Sequence, residues 1–264
     1  MLRISHLTKT FFKGTPNENV ALKNINLNIA AGDFVTIIGS NGAGKTTLLN
    51  LISGVYSPDE GRIEINGENM NSLPEYKRAK FVGRVFQNPL QGTAASLTIE
   101  ENLAIASLRG KKRRLRFAIN RRKRREFKDR LRTLGLGLEN RLQERVGLLS
   151  GGQRQALAIL MATLTKPYLL LLDEHTASLD PKTAQKIISL TEKIVTEHRL
   201  TTLMVTHNME EALEFGSRTI MMHEGEIVLD IKGEERERMS VKDLLDKFSE
   251  VKKERLVEDK MLLV

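Results

Sequence analysis

The chain has 264 residues, a net charge of +9 and no cysteine; 40% of its residues are apolar and 28% charged. Such a composition excludes disordered and fibrous classes, and the missing cysteines exclude disulfides and thiolate metal sites. The longest apolar runs, 156–164 and 168–172, fall far short of the roughly 18–20 residues that span a bilayer, and residues 1–10 lack a signal-peptide core, so no membrane crossing is expected.

In chain order, residues 2–8 predict a first strand and 20–29 a half-buried strand, with Leu22, Ile25, Leu27 and Ile29 on its apolar positions. A compact β-rich run, 34–38, leads directly into a glycine-rich loop, and 47–53 then reads as a helix closed by Gly54. Strands are expected at 61–66 and 79–86, the latter ending at Gln87. Residues 99–145 have a mostly helical pattern. A helix is predicted at 151–164, a fully buried strand at 168–172, an amphipathic helix at 181–200, a strand at 202–206 and a helix at 209–214. Short strands at 219–222 and 226–230 and a helix at 241–248 close the ordered part. Alternating strands and helices predict an α/β core with a mostly parallel sheet, preceded by a β-rich edge and interrupted by a helical lobe at about 88–165. One domain is expected over 1–248, followed by a charged tail, 249–264.

Gly39-Ser40-Asn41-Gly42-Ala43-Gly44-Lys45-Thr46 fits G-x-x-x-x-G-K-[ST], with a strand before it and a helix after. Glycines let several backbone N–H groups face one phosphate chain, and the helix beginning there adds its positive dipole end. Lys45 supplies a point charge to the β- and γ-phosphates. Thr46 offers a hydroxyl to Mg²⁺, and Thr47 one to the α-phosphate. Four constrained positions match by accident in roughly one chain in a hundred, and the strand–loop–helix context lowers that further. ATP with Mg²⁺ is the expected ligand.

The buried run 169–172 delivers Asp173 and Glu174 to the carboxyl end of a parallel strand, where ligands sit in such sheets. Asp173 is placed to hold Mg²⁺ through water, and Glu174 to polarise an attacking water. Two solvated acids at a strand end are the plain alternative, which the phosphate loop argues against.

Leu149-Ser150-Gly151-Gly152-Gln153 is identical to the signature of ABC ATPases, and it lies before a helix and upstream of the acidic strand, in that family's order. The chain resembles ABC transporter ATP-binding subunits over about residues 2–230. In that resemblance Phe11 takes the place of the adenine-stacking aromatic, Gln87 of the Q-loop, Ser178-Leu179-Asp180 of the D-loop and His207 of the switch histidine. The resemblance implies an ABC ATPase fold: a P-loop core, an antiparallel β subdomain and an inserted helical subdomain. It implies ATP hydrolysis, with Glu174 as base, His207 as γ-phosphate sensor, and Gln87 among both the catalytic and the cation-contacting residues. Ser150, Gly151, Gly152 and Gln153, together with Asp180, would face nucleotide held by a second copy, so a head-to-tail homodimer is implied. Membrane permease subunits, an extracytoplasmic substrate-binding lipoprotein and a peripheral place on the cytoplasmic face of the membrane are implied as well. The chain departs from most relatives at His175, where they carry proline. The run 173–180 and a basic insert resemble a bacterial subgroup serving lipoprotein-dependent uptake, in part of aromatic amino acids.

Residues 109–125 hold eleven basic residues and no acid, so the positive charge of the chain is concentrated in one segment. Contact with anionic lipid or an acidic permease face, a solvated surface, and nucleic acid are the three readings. The last is disfavoured by the near absence of aromatic residues in the block. A soluble ABC-type ATPase not coupled to transport is the rival function; such proteins usually carry two fused ATPase domains or a long coiled-coil insertion, and this chain has neither.

Overall fold

The computed structural model describes residues 1–111 and 118–250. Two sheets form its frame. The first is antiparallel and has the order β2-β1-β4-β5, built from β1 (Leu2–Phe11), β2 (Asn19–Ile29), β4 (Glu60–Ile65) and β5 (Glu68–Asn69). The second has six strands in the order β10-β9-β3-β8-β7-β6. Its members are β3 (Phe34–Gly39), β6 (Val82–Val85), β7 (Leu169–Asp173), β8 (Thr201–Val205), β9 (Arg218–His223) and β10 (Glu226–Lys232). The pairs from β9 across to β6 are parallel, and only β10 runs antiparallel, to β9. A parallel sheet is covered on both faces, so its central strands read as unbroken apolar runs. Leu169, Leu170, Leu171 and Leu172 of β7 are each 0% exposed, and each such burial contributes about 1.5–3 kcal/mol. These leucines alternate between two cores: Leu169 and Leu171 pack beside α1 (Lys45–Ser53), Leu170 and Leu172 beside α5 (Gly151–Thr163).

Between β6 and β7 the described residues contain α3 (Ile99–Ser107), α4 (Arg121–Arg132), α5, three short 3₁₀ turns and no strand. Side chains set the helix starts. Thr98 and Glu101 form a reciprocal capping box on α3, and Ser150 and Gln153 form another on α5. Asp180 caps α6 (Pro181–His198), with proline at its first position. Phe127 and Leu131 are the buried face of α4. α7 (Met209–Glu214) lies over β3, while α8 (Glu234–Glu237) and a helix at 241–250 follow β10.

Several expected boundaries move. The helix after the glycine loop starts at Lys45 rather than at 47. The strand expected at 79–86 starts only at Val82, because Ala79 closes a four-residue helix, α2 (Glu75–Arg78). α6 stops at His198, two residues early, because Arg199 takes a left-handed conformation (φ 47°) and its N–H closes on Val195 and Thr196. The last helix continues past 248, the expected domain end, to at least residue 250; the rest of the expected tail, 251–264, lies outside the described residues. Part of the basic block, 112–117, lies outside them too. Of the block's described members, Arg109 donates to the Ala162 carbonyl (3.0 Å), and Arg124 makes a two-pronged pair with buried Glu100 (2.7 and 3.0 Å). Those two cations hold the lobe together, a structural use that none of the three readings of the block includes.

Candidate functional site

Three neighbouring strands, β3, β8 and β7, end at one edge of the large sheet, and the loops leaving them enclose a cavity of about 250 Å³. Its lining includes Phe11, the loop from Asn41 to Thr47, Glu174 and His207. β3 turns into the loop at Gly39 (φ 150°), where a Cβ would stand 2.2 Å from the Met222 carbonyl oxygen, so only glycine fits. Gly44 (φ 95°) caps α1 in the left-handed region. Gly39 and Ser40 offer their carbonyls to Lys45 Nζ, at 2.8 and 3.0 Å. Burial pulls the Lys45 ammonium below the ordinary lysine value, and the charges of Glu174 and Asp173 oppose that shift.

Thr46 Oγ1 lies 3.4 Å from Asp173 Oδ1. The other oxygen, Oδ2, accepts from Arg84 Nη2 at 2.9 Å. Glu174 leaves β7 with φ 45°, its N–H bonded to the Val205 carbonyl at 3.0 Å, and its Oε1 meets His207 Nε2 at 2.5 Å. A single hydroxyl and a single carboxylate suit Mg²⁺, which keeps waters and takes its remaining oxygens from substrate phosphates. Among the described residues no group of three His, Cys, Asp or Glu side chains forms a closed metal cage. The donor set thus fits a cation delivered with a phosphate ligand. Phe11 is held by an edge contact to Tyr56, with centroids 5.2 Å apart.

Other expected site residues lie elsewhere. Gln87 is exposed two residues beyond β6, and its carbonyl accepts from Ser178 Oγ at 3.4 Å. Ser150, Gly151, Gly152 and Gln153 open α5, Asp180 opens α6, and none of them lines the cavity. These two helix starts touch: a Cβ on Gly152 would be 2.4 Å from Thr183 Cγ2, and one on Gly151 would be 3.3 Å from Leu179 Cδ2. One copy therefore presents two separated surfaces, a phosphate loop with carboxylates and a Ser-Gly-Gly helix start.

Sequence reasoning missed Arg84 and Arg78 and gave His175 no structural part. Arg78, 1% exposed, donates to the carbonyls of Leu51, Ile52 and Leu73, so it ties off the far end of α1. For Arg84, set between Val82 and Phe86, an arginine inside an apolar run was the available signal, since buried charge demands partners; Arg78, between Lys77 and Lys80, offered none. His175 is buried beside Thr191, with Nε2 3.2 Å from Oγ1. Thr191 gives its only proton to the Ile187 carbonyl, so the ring N–H is the donor. Burial holds the His175 pKa at about 4, against 6.5 when free. Because the folded value is depressed, the stabilisation is complete above pH 6.5 and drains away as pH falls towards 4. The loss should reach about 3 kcal/mol. Urea melts across that range should be steeper in pH for the parent than for His175→Gln; equal slopes would show that His175 does not carry the effect.

A family model described as ABC transporter matches residues 22–177, more than half of the chain. A tyrosine transport ATP-binding protein of Clostridioides difficile (strain R20291) is 47% identical over 248 residues, 94% of this chain and 98% of that protein. The energy-coupling factor transporter ATP-binding protein EcfA2 of Acetivibrio thermocellus is 34% identical over 86% of this chain and 78% of its own length. Among solved structures, a dimeric post-hydrolysis state of the ATP-binding cassette MJ0796 with ADP and Pi superposes with a TM-score of 0.76. It is 33% identical and covers 88% of this chain and 98% of that one. The cbiO1 protein of Clostridium perfringens, part of the complex cbiONQ, gives a TM-score of 0.75 at 27% identity, covering 93% of each chain.

Proposed function

This chain belongs to the ABC transporter family as its ATP-binding and ATP-hydrolysing subunit, and from that premise we propose a role for each site residue and a cargo for the system. The fold is that of an ABC ATPase, and cassettes of this kind form dimers and pair with membrane permeases. No described helix is long and apolar enough to cross a membrane. The proposed place of work is the cytoplasmic face of the membrane, reached through the permease. We assign residues 1–248 to the ATPase domain, 88–165 to its helical lobe and 249–264 to a tail.

ATP enters the cavity with its adenine on Phe11 and its phosphates against the N–H groups of Gly39–Thr47. Lys45 exchanges its two loop carbonyls for β- and γ-phosphate oxygens. Thr46 and Asp173, joined by Gln87, would hold Mg²⁺, which would supply charge neutralisation there. Glu174 takes a proton from water as that water attacks the γ-phosphorus, and the β–γ bridging oxygen leaves with the electrons of the broken bond. His207 stabilises the transferring phosphoryl group and keeps Glu174 oriented through the 2.5 Å contact. The Ser150–Gln153 helix start and Asp180 complete the site of the opposing copy, because an exposed helix N-terminus beside two glycines is an anion cradle. The convergence of Lys45, Thr46, Asp173, Glu174 and His207 at one sheet edge is the observation that carries this reading.

The likeness to a tyrosine transport protein over almost its full length supports an aromatic amino acid as cargo, and we propose import with an extracytoplasmic lipoprotein as capture component. Proteoliposomes holding this chain with its cognate permease should take up tyrosine in an ATP-dependent manner when that lipoprotein is added. Uptake indifferent to ATP, or blind to tyrosine, phenylalanine and tryptophan alike, would remove the cargo assignment.

A further inference from the structure

Arg84 stands where a parallel strand would ordinarily carry an apolar side chain. β6 pairs with β7 so that Arg84 faces Leu171, and Asp173 lies two residues further along the same strand. The guanidinium divides its donors three ways. Nη2 takes Asp173 Oδ2 at 2.9 Å, and Nη1 takes Asn50 Oδ1 at 2.6 Å and Ser53 Oγ at 3.1 Å, both on α1. The plane sits over the Phe86 ring, 4.6 Å from its centroid. Both members of the ion pair are only 10% exposed, and Nε is buried with no partner among the described residues. Burying an arginine with one donor unmet is costly, so the pair itself must return something.

A charge tally indicates what that is. Among the described residues, Lys45 lies close to two carboxylates, Glu174 in the cavity wall and Asp173 behind Thr46, and Arg84 pairs with Asp173 on its far side. Without nucleotide the four charges balance. We propose that Arg84 is the resident counter-ion of Asp173: it neutralises that carboxylate while no cation is bound, and it fixes Oδ2 so that Oδ1 alone faces Thr46. Arg84 is thus a positioning residue, acting on the cation site through Asp173. The empty chain does not need a divalent ion to be stable, and Mg²⁺ is recruited only when the phosphates of ATP change the balance. The cation part of this inference rests on the assignment of Asp173 to Mg²⁺; the counter-ion part does not.

The test is a double-mutant cycle read by thermal unfolding of the full chain without nucleotide. In metal-free buffer Arg84→Met should lower Tm by about 5–10 °C, because it strands a buried carboxylate. Asp173→Asn combined with Arg84→Met should recover most of that loss, since no charge is left to neutralise. Millimolar Mg²⁺ alone should restore Arg84→Met and leave the parent unmoved. If the two substitutions add independently, Arg84 merely ties β6 to α1 and the proposal falls. A coupled cycle without rescue by Mg²⁺ keeps Arg84 as counter-ion and removes Asp173 from the cation site instead. Should Arg84→Met fail to accumulate folded, a folded double variant supports the proposal and an unfolded one overturns it.

Discussion

Glu174→Gln should bind ATP as tightly as the parent, form a stable nucleotide-bound dimer and hydrolyse about 10²–10⁴ times more slowly. The amide keeps the shape of the carboxylate and still accepts from His207 Nε2, the partner at 2.5 Å. What it loses is the capacity to take a proton from water. Binding and chemistry therefore separate, and the dimer persists because its ATP is not consumed. Single-turnover hydrolysis and sedimentation of the variant with MgATP check both halves. A variant that turned over at the parental rate would assign the base elsewhere.

Lys45→Ala should act earlier, on nucleotide affinity itself. Lys45 is 5% exposed, and its ammonium is held by the Gly39 and Ser40 carbonyls. A charge-assisted hydrogen bond is worth about 1.5–3 kcal/mol, so loss of the β- and γ-phosphate contacts should weaken ATP binding by roughly 10–150-fold. Lys45→Arg should not rescue it, because a planar guanidinium cannot replace a compact ammonium inside a loop of this size. Fluorescent-nucleotide titration distinguishes this loss from that in Glu174→Gln. An arginine variant with parental affinity would mean that charge alone, without shape, suffices at this position.

The phosphate loop and the acidic strand end were legible because both chemistry and local structure demand their residues in a fixed order. Lys45 must follow the glycines, and Asp173 must end a strand that only a run such as 169–172 can make. The Ser150–Gln153 start was legible through the family signature that it matches, and the structure adds that Ser150 and Gln153 form a capping box there. What escaped depends on distance in sequence. Arg84 finds Asp173 eighty-nine residues later, and Arg78 finds α1 about twenty-seven earlier. Neither partner is encoded near the arginine; the apolar run around Arg84 advertised a buried charge but not its use, and the charged stretch around Arg78 advertised neither. Short helices escaped as well: α2 and α8 are four residues each, too few to establish a period. The early stop of α6 at Arg199 lacked the glycine that usually marks such an end. His175 was read only as a departure from the family pattern, whereas its imidazole ties the acidic turn to the middle of α6.

The last helix, 241–250, is anchored by Leu244, which is wholly buried among Ile38, Met221 and Ile231. Its Phe248 ring meets the edge of His223, 5.6 Å between centroids, and His223 Nδ1 in turn lies 3.5 Å from Ser40 Oγ. A substitution at Phe248 therefore acts on a helix only two contacts from the loop that grips the nucleotide. Reporters meant to leave turnover undisturbed belong on the exposed turn at Asn66 and Gly67, between β4 and β5, which does not line the cavity.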